Sequence, residues 1–170
     1  MNSFDSIDLL PLESRHRDAT LRWMNDPEMM LLLNRMHVIT PNEHETWFAA
    51  LPARRELDYF AIEAGKPRSH VGNIWLHGID RSHHKAEVRI VLALGMHNRG
   101  IGRTAISILS HKALGEMGLH RLYAYVLTTN TRARRAFEQA GFTLEGTLRS
   151  DRWTGAAYAD VWVFGRVAPA

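Results

Sequence analysis

The stretch EVRIVLALGMHNRGIGRTA, residues 87–105, passes from a strand-like run into a glycine-punctuated basic turn and then into a helix. Val88, Ile90, Val91, Leu92 and Leu94 supply the strand, which breaks at Gly95. Beyond the turn, apolar residues at Ile101, Ala105, Ile108, Leu109 and Ala113 recur at helical spacing. A strand, a turn rich in backbone N–H groups and a helix start make an anion site, because the amides point outward and the helix dipole favours negative charge. Gly100 and Gly102 allow the backbone to approach a phosphate closely.

Two common nucleotide loops do not fit. Gly100-Ile101-Gly102-Arg103-Thr104-Ala105 satisfies the G-x-G-x-x-A form of the dinucleotide fingerprint, but the next strand ends at Leu127-Thr128 without the carboxylate that would hold a ribose. A Walker A loop needs Gly-Lys-Ser/Thr after its second glycine, and this chain has none there.

The segment His97-Asn98-Arg99-Gly100-Ile101-Gly102 resembles the acetyl-coenzyme A loop of the GNAT superfamily of N-acetyltransferases, Gln/Arg-x-x-Gly-x-Gly/Ala, with His97 in place of the first residue. About 30 residues further on, Asn130-Thr131-Arg132-Ala133-Arg134-Arg135-Ala136-Phe137-Glu138-Gln139-Ala140-Gly141-Phe142 resembles that family's second signature, N-x-R-A-x-x-x-Y-E-K-x-G-F, with Phe137 where tyrosine is usual. Trp23 to Glu28, His44-Glu45-x-Trp47-Phe48, and the closing Glu145 to Asp160 resemble the branch that acetylates ribosomal-protein N-termini, which also holds acetyltransferases for amino-sugar nucleotides and polyamines.

Composition bounds the reading. At 170 residues the chain is long enough for one domain with a substantial core, so a single domain over residues 1–170 is expected. The net charge of +3 comes without a concentrated basic run, which argues against a dedicated nucleic-acid binder. Cysteine is absent, which excludes a disulfide framework, a thiolate metal site and an acetyl-cysteine intermediate. Ten histidines show no metal-ligand spacing, so no metal is expected. The opening MNSFDSIDLLPL lacks the features of a signal peptide, and no apolar run approaches a bilayer span; a cytoplasmic protein without membrane partners is expected.

Along the chain, a first strand is expected at Ile7–Leu12 and a helix at Asp18–Asn25, stopped by Asn25-Asp26-Pro27. Residues 29–33, MMLLL, read either as buried core, the favoured reading, or as a wall of an acceptor pocket. Thr40-Pro41 caps a helix running to about Leu51, on which His44, flanked by Glu43 and Glu45, is read as a surface histidine, the alternative being that it faces an acceptor. Strands follow at Tyr59–Ala64, Val71–Ile79 and Glu87–Leu94, then the helix Ile101–Met117 and a strand at Arg121–Leu127. A short helix capped by Asn130 and a final antiparallel pair, Phe142–Leu148 and Tyr158–Arg166, complete a mixed α/β (α+β) order. The resemblance implies a GNAT-like, mostly antiparallel sheet, splayed open and flanked by helices.

It also implies a site. The pantetheine arm of acetyl-CoA would pair with backbone near Val91, Leu92 and Ala93. The pyrophosphate would lie on the amides of Asn98, Arg99, Gly100, Ile101, Gly102, Arg103 and Thr104, beside His97. Arg99 and Arg103 would neutralise phosphate, or else form a solvated surface pair. Asn130, Arg135 and Phe137 complete the cofactor set, with Asn130 also a helix cap. Glu87, thirteen residues before Gly100, takes the place of the family's catalytic base, the alternative being an ion pair with Arg89 or Lys85. Phe137 carries no proton to donate. Tyr125 or Tyr123 would then protonate the leaving thiolate, or it departs as the anion.

The implied activity is direct acetyl transfer from acetyl-CoA to a primary amine, on a small molecule or a protein N-terminus. Arg15, Arg17 and Arg22 at one end and Arg149, Arg152 and Trp153 at the other favour an anionic or aromatic acceptor, such as an amino-sugar nucleotide or acidic peptide, over a polyamine. The alternative is a non-catalytic acetyl-CoA sensor. A homodimer is expected, with Trp162 and Phe164 serving either an interface or the core.

Overall fold

Strand β4 (Lys85–Leu92) is where the sheet changes direction. In the computed structural model, which describes residues 6–33 and 35–169, β4 runs antiparallel to β3 (Ser69–Asp80) on one side and parallel to β5 (Arg121–Leu127) on the other. The sheet has seven strands in the order β1-β2-β3-β4-β5-β7-β6, with β1 at Ile7–Pro11, β2 at Leu57–Ala64, β6 at Thr143–Trp153 and β7 at Tyr158–Val167. Every neighbouring pair except β4–β5 is antiparallel. This is the mixed α/β, mostly antiparallel GNAT-like arrangement that the motifs imply.

Among the described residues five α-helices flank the sheet: α1 (Arg17–Met24), α2 (Pro27–Leu32), α3 (Pro41–Ala50), α4 (Ile101–His111) and α5 (Thr131–Gln139). The larger core lies on the α4–α5 face. Ile101, Ala105, Ile106 and Leu109 of α4 are fully buried there against Ile74, Leu76, Val88 and Leu122. Ile106 takes the inward position, while Ile108 is turned partly to solvent. A smaller cluster on the other face packs Met24 and Met29 of α1 and α2 on Tyr59, Trp75 and Val91. Tyr59 and Trp75 stack with centroids 4.7 Å apart.

The sequence reading missed α2. Asp26 does more than end α1: its carboxylate accepts from the amides of Glu28 and Met29, and Pro27 takes the first helical position, where its missing N–H costs nothing. Met29, Leu32 and Leu33 then follow at helical spacing. His44 is corrected as well. It is 3% exposed, packed against Trp47 and Phe48, with Nε2 lacking a partner. The final strands are longer than expected: β6 continues to Trp153, and the turn occupies residues 154–157.

Candidate active site

β4 and β5 stay in register only at Lys85–Arg121, Ala86–Leu122 and Glu87–Tyr123. Beyond Glu87, β4 continues on β3 and β5 continues on β7, so the two strands diverge and leave facing edges without partners. The hydrogen bond from Ala93 N to Val71 O (2.9 Å) fixes which groups those are. In an antiparallel ladder, alternate residues direct both N–H and C=O to the same neighbour. Val91 and Ala93 therefore turn their amides towards β3, and Val88, Ile90 and Leu92 turn theirs into the gap.

A cleft of about 640 Å³ occupies this gap and reaches both faces of the sheet. On the α4–α5 face it is lined by Ile90, Leu92, Gly102, Arg103, Ala136 and Phe137. On the α1–α2 face it is lined by Met24, Met29, Leu33, Arg35, Trp75 and Arg89. Glu87 and Tyr125 stand near the join, on one face, because alternation from the paired residues Glu87 and Tyr123 carries Arg89 and Tyr125 to the same side.

The loop before α4 opens into the α4–α5 end. Asn98 and Gly100 are both left-handed, at φ +59 and +79. Gly100 is the N-cap of α4 and brings no side chain to it, so the amides of Ile101, Gly102 and Arg103 have no acceptor within the helix. A Cβ on Gly102 would meet Leu92 at 3.6 Å, an ordinary contact. Protein packing alone thus does not require glycine there, and its bare backbone leaves room for a ligand on the cleft side. The loop fits a pyrophosphate, with amides, dipole and Arg103 converging on one end of the gap.

Comparison with known families bears on this geometry. The acetyltransferase (GNAT) domain family matches residues 7–143. The chain belongs to that family. Among curated relatives, it is 28% identical over 102 residues to spermidine N(1)-acetyltransferase of Vibrio cholerae, a match covering 60% of this chain and 58% of that protein's length. It is 27% identical over 122 residues to the uncharacterized N-acetyltransferase YoaA of Bacillus subtilis, covering 72% and 69%. The crystal structure of spermidine N-acetyltransferase from Vibrio cholerae in complex with CoA and spermine superimposes with a TM-score of 0.89 at 22% identity, covering 95% of each chain. The relatives matched are thus spermidine and uncharacterized acetyltransferases rather than the ribosomal-protein N-terminal branch.

Within this GNAT domain, Glu87 is 6% exposed and held by Arg89 in a two-pronged pair, Nε to Oε1 and Nη2 to Oε2, both 2.8 Å. The alternative of an ion pair with Arg89 is therefore realised, and the pair faces the cleft. Tyr123 does not line the cleft, whereas Tyr125 does. Burial, and then the charge of Glu87, hold the Tyr123 phenol above its ordinary range. Phe137 is 3% exposed, packed on Phe142 and stacked on Phe164.

The loop residues divide. His97, Asn98, Gly100, Gly102 and Arg103 line the cleft, as do Asn130 and Arg135. Burial, then the nearby Arg132, keep the His97 imidazole below its ordinary value. Asn130 caps α5, its Oδ1 accepting from Ala133 N at 3.0 Å. Arg99 instead folds back on its own loop, Nε donating to Gly95 O at 3.0 Å. The Thr104 amide closes the first turn of α4 on Gly100 O, so the anion-facing set ends at Arg103. The Ile101 side chain lies in the core, and Ala93 engages Val71 and Met96 with its backbone. Of Val91, Leu92 and Ala93, the three residues expected to face the cofactor, Leu92 alone turns its backbone amide into the gap.

The arginines expected at the acceptor end are redistributed. Arg15 pairs with Glu13 and Glu63, Arg17 with Glu45 at 2.5 Å, and Arg22 and Arg149 are exposed away from the cleft. Arg152 does line it, joined by Arg35, Arg89 and Arg132, which the motifs did not single out for this role. No motif in the sequence marks Arg35, which lies just beyond α2. Phe164 is core, and Trp162 lies under the Arg134 guanidinium at 4.8 Å, so neither is a free interface residue.

Proposed function

We propose that this chain moves an acetyl group from acetyl-CoA to a primary amine by direct attack in a ternary complex, as one catalytic domain over residues 1–170. The observation that carries the reading is the β4–β5 gap, which ends at the uncapped start of α4. Pantetheine would enter as an added strand against Val88, Ile90 and Leu92, with its pyrophosphate on the loop amides, Arg103 and Arg135. The thioester would then lie near Glu87, with the amine arriving from the α1–α2 face. Glu87, directly or through a water, takes the ammonium proton, since the fork to Arg89 leaves each carboxylate oxygen a second lone pair. The amine nitrogen forms the new C–N bond, the C–S bond breaks, and Tyr125 supplies the proton to the departing sulfur. Gap-facing amides on β4 are suitable donors to the oxyanion.

The acceptor is an amino-sugar nucleotide, a protein N-terminus or another small amine, used in the cytoplasm. A homodimer belongs to the same reading: β6 is exposed along nearly its whole length, with Leu144, Leu148 and Trp153 at 38–45%. Phe137, which has no proton for the thiolate, favours one second reading, a non-catalytic acetyl-CoA sensor.

The test is calorimetric titration of acetyl-CoA into wild-type and Gly100→Arg protein, followed by a free-thiol release assay with a panel of amines. Saturable binding lost in the variant, together with turnover, supports the transferase. Binding without turnover on any amine favours the sensor. Absence of binding by folded wild-type protein overturns both.

A further inference from the structure

From the charge of the α1–α2 end of the cleft we infer that the acceptor is a small amine carrying its own carboxylate or phosphate, held by Arg35 and Arg152. This deepens the transferase reading and rests on it.

Glu87 is the one carboxylate lining the cleft among the described residues, and Arg89 neutralises it with two hydrogen bonds. Arg35 and Arg152 then leave this end with two positive charges. Neither is strongly engaged by the protein. The Nε of Arg35 is buried without a hydrogen-bond partner. Glu43, whose carboxylate feels the Arg35 charge, is occupied at the start of α3, where it accepts from Thr40 N and Oγ1, both at 2.8 Å. Arg152 has a side chain only 19% exposed, and its contact to Asp151 is 3.7 Å, well beyond a charge-assisted hydrogen bond.

The two arginines reach the lining of the cleft from different parts of the chain. Arg35 follows α2, and Arg152 lies near the end of β6. Trp153 shares a small hollow with Arg35 and with Met30 and Leu31 of α2, which places the adjacent Arg152 at the α2 end of the cleft. A guanidinium N–H kept from water without an acceptor, as Arg35 Nε is, is costly, and an anionic ligand group relieves that cost. A polycation would bring further positive charge to a cleft whose one lining carboxylate among the described residues, Glu87, is already paired with Arg89. Planar donors in pairs match carboxylate and phosphate oxygens. The amine end of such a ligand would point to Glu87, and its anionic end to α2 and β6.

The test uses γ-aminobutyrate, n-butylamine and putrescine, which share a four-carbon chain and one amine and differ at the far end: carboxylate, methyl or ammonium. Glucosamine 6-phosphate and glucosamine form a second pair that separates phosphate from carboxylate recognition. Thiol release is measured with acetyl-CoA for wild-type, Arg35→Gln and Arg152→Gln protein, with acetyl-CoA affinity measured in parallel. The expected order of kcat/KM is anion, then neutral, then cation, in at least one of the two series. Each substitution reduces the preference about tenfold, through KM rather than kcat, as a charged hydrogen bond is lost. A cationic or neutral amine preferred in both series, or a preference unchanged in the variants, overturns the inference while leaving acetyl transfer standing. If no amine turns over, acetyl transfer fails, and the same ligands are titrated into CoA-saturated protein. Tighter binding of the anionic members, lost in the variants, still supports the anion site, and equal or absent binding overturns it.

Discussion

Arg89 grips Glu87 two residues away along the same strand face, with two parallel hydrogen bonds of 2.8 Å. A two-pronged pair of this kind fixes the orientation of the carboxylate as well as its charge. It also distinguishes proton acceptance from scaffolding. Glu87→Gln keeps the shape and one acceptor but removes the base, so kcat should fall about 10²-fold or more while acetyl-CoA affinity is retained. Arg89→Lys keeps the charge but not the fork, and should fall in between. Thiol-release kinetics beside calorimetry separate the two effects; a Glu87→Gln enzyme with full kcat would assign the glutamate to architecture alone.

Tyr125 is the one phenol expected from sequence that also lines the cleft. Tyr125→Phe should lower kcat about 10²-fold with little change in KM, the usual size for loss of a general acid. Tyr123→Phe, one alternation back and outside the cleft, should have a small effect. If Tyr125→Phe turns over like the wild type, the thiolate leaves as the anion.

At the loop, Gly100 has a φ of +79, which costs a non-glycine residue about 1–2 kcal/mol. Gly100→Ala should lower stability by roughly that amount and weaken acetyl-CoA binding, whereas Arg103→Ala should weaken binding with almost no loss of stability. Chemical denaturation alongside calorimetry checks both. Equal loss of binding and stability in Arg103→Ala would move that side chain from the ligand to the fold.

His44 gives a pH signature. Burial, with Arg17 nearby, holds its imidazole below the ordinary value of 6.5. The unfolded chain therefore binds the proton more readily, and stability contributed by neutral His44 is present above pH 6.5 and is lost as pH falls through the depressed folded value. Glu63 acts further down. Hydrogen bonding from His16, opposed by burial and aided by Arg15, holds its carboxyl below the ordinary 4.5, so its contribution disappears below that pH. Thermal melts of wild-type and His44→Phe protein between about pH 7 and 5 should show a slope in the first that is flattened in the second. Parallel curves would place the proton elsewhere.

Most of the architecture was legible because it depends on local chemistry. Gly95, Gly100 and Gly118 punctuate the chain, Thr40 and Asn130 cap helices as their side chains require, and alternation marks β4 and β5. What sequence did not reveal depends on distant partners. His44 reads as surface until α1 and the smaller cluster cover it. Arg15 and Arg17 read as cleft arginines until Glu63 and Glu45, far along the chain, claim them. The site divided the same way: Glu87, Gly100, Gly102 and Arg152 were singled out from the sequence and line the cleft, while Arg35 carries no motif and reaches it only through the packing of the chain.

The divergence of β4 and β5 has a mechanical meaning. The strands β1 to β4 form one slab and β5, β7 and β6 another, and along the sheet only three residue pairs bolt the two together. Helix α4 and its core act as the hinge plate behind that seam. A ligand lodged between the strands is then a wedge and a splice at once, holding the slabs at a set angle while tying their inner edges together. The last pair before the seam opens is Glu87 and Tyr123, so the splice would begin beside the place where the acetyl group would change hands.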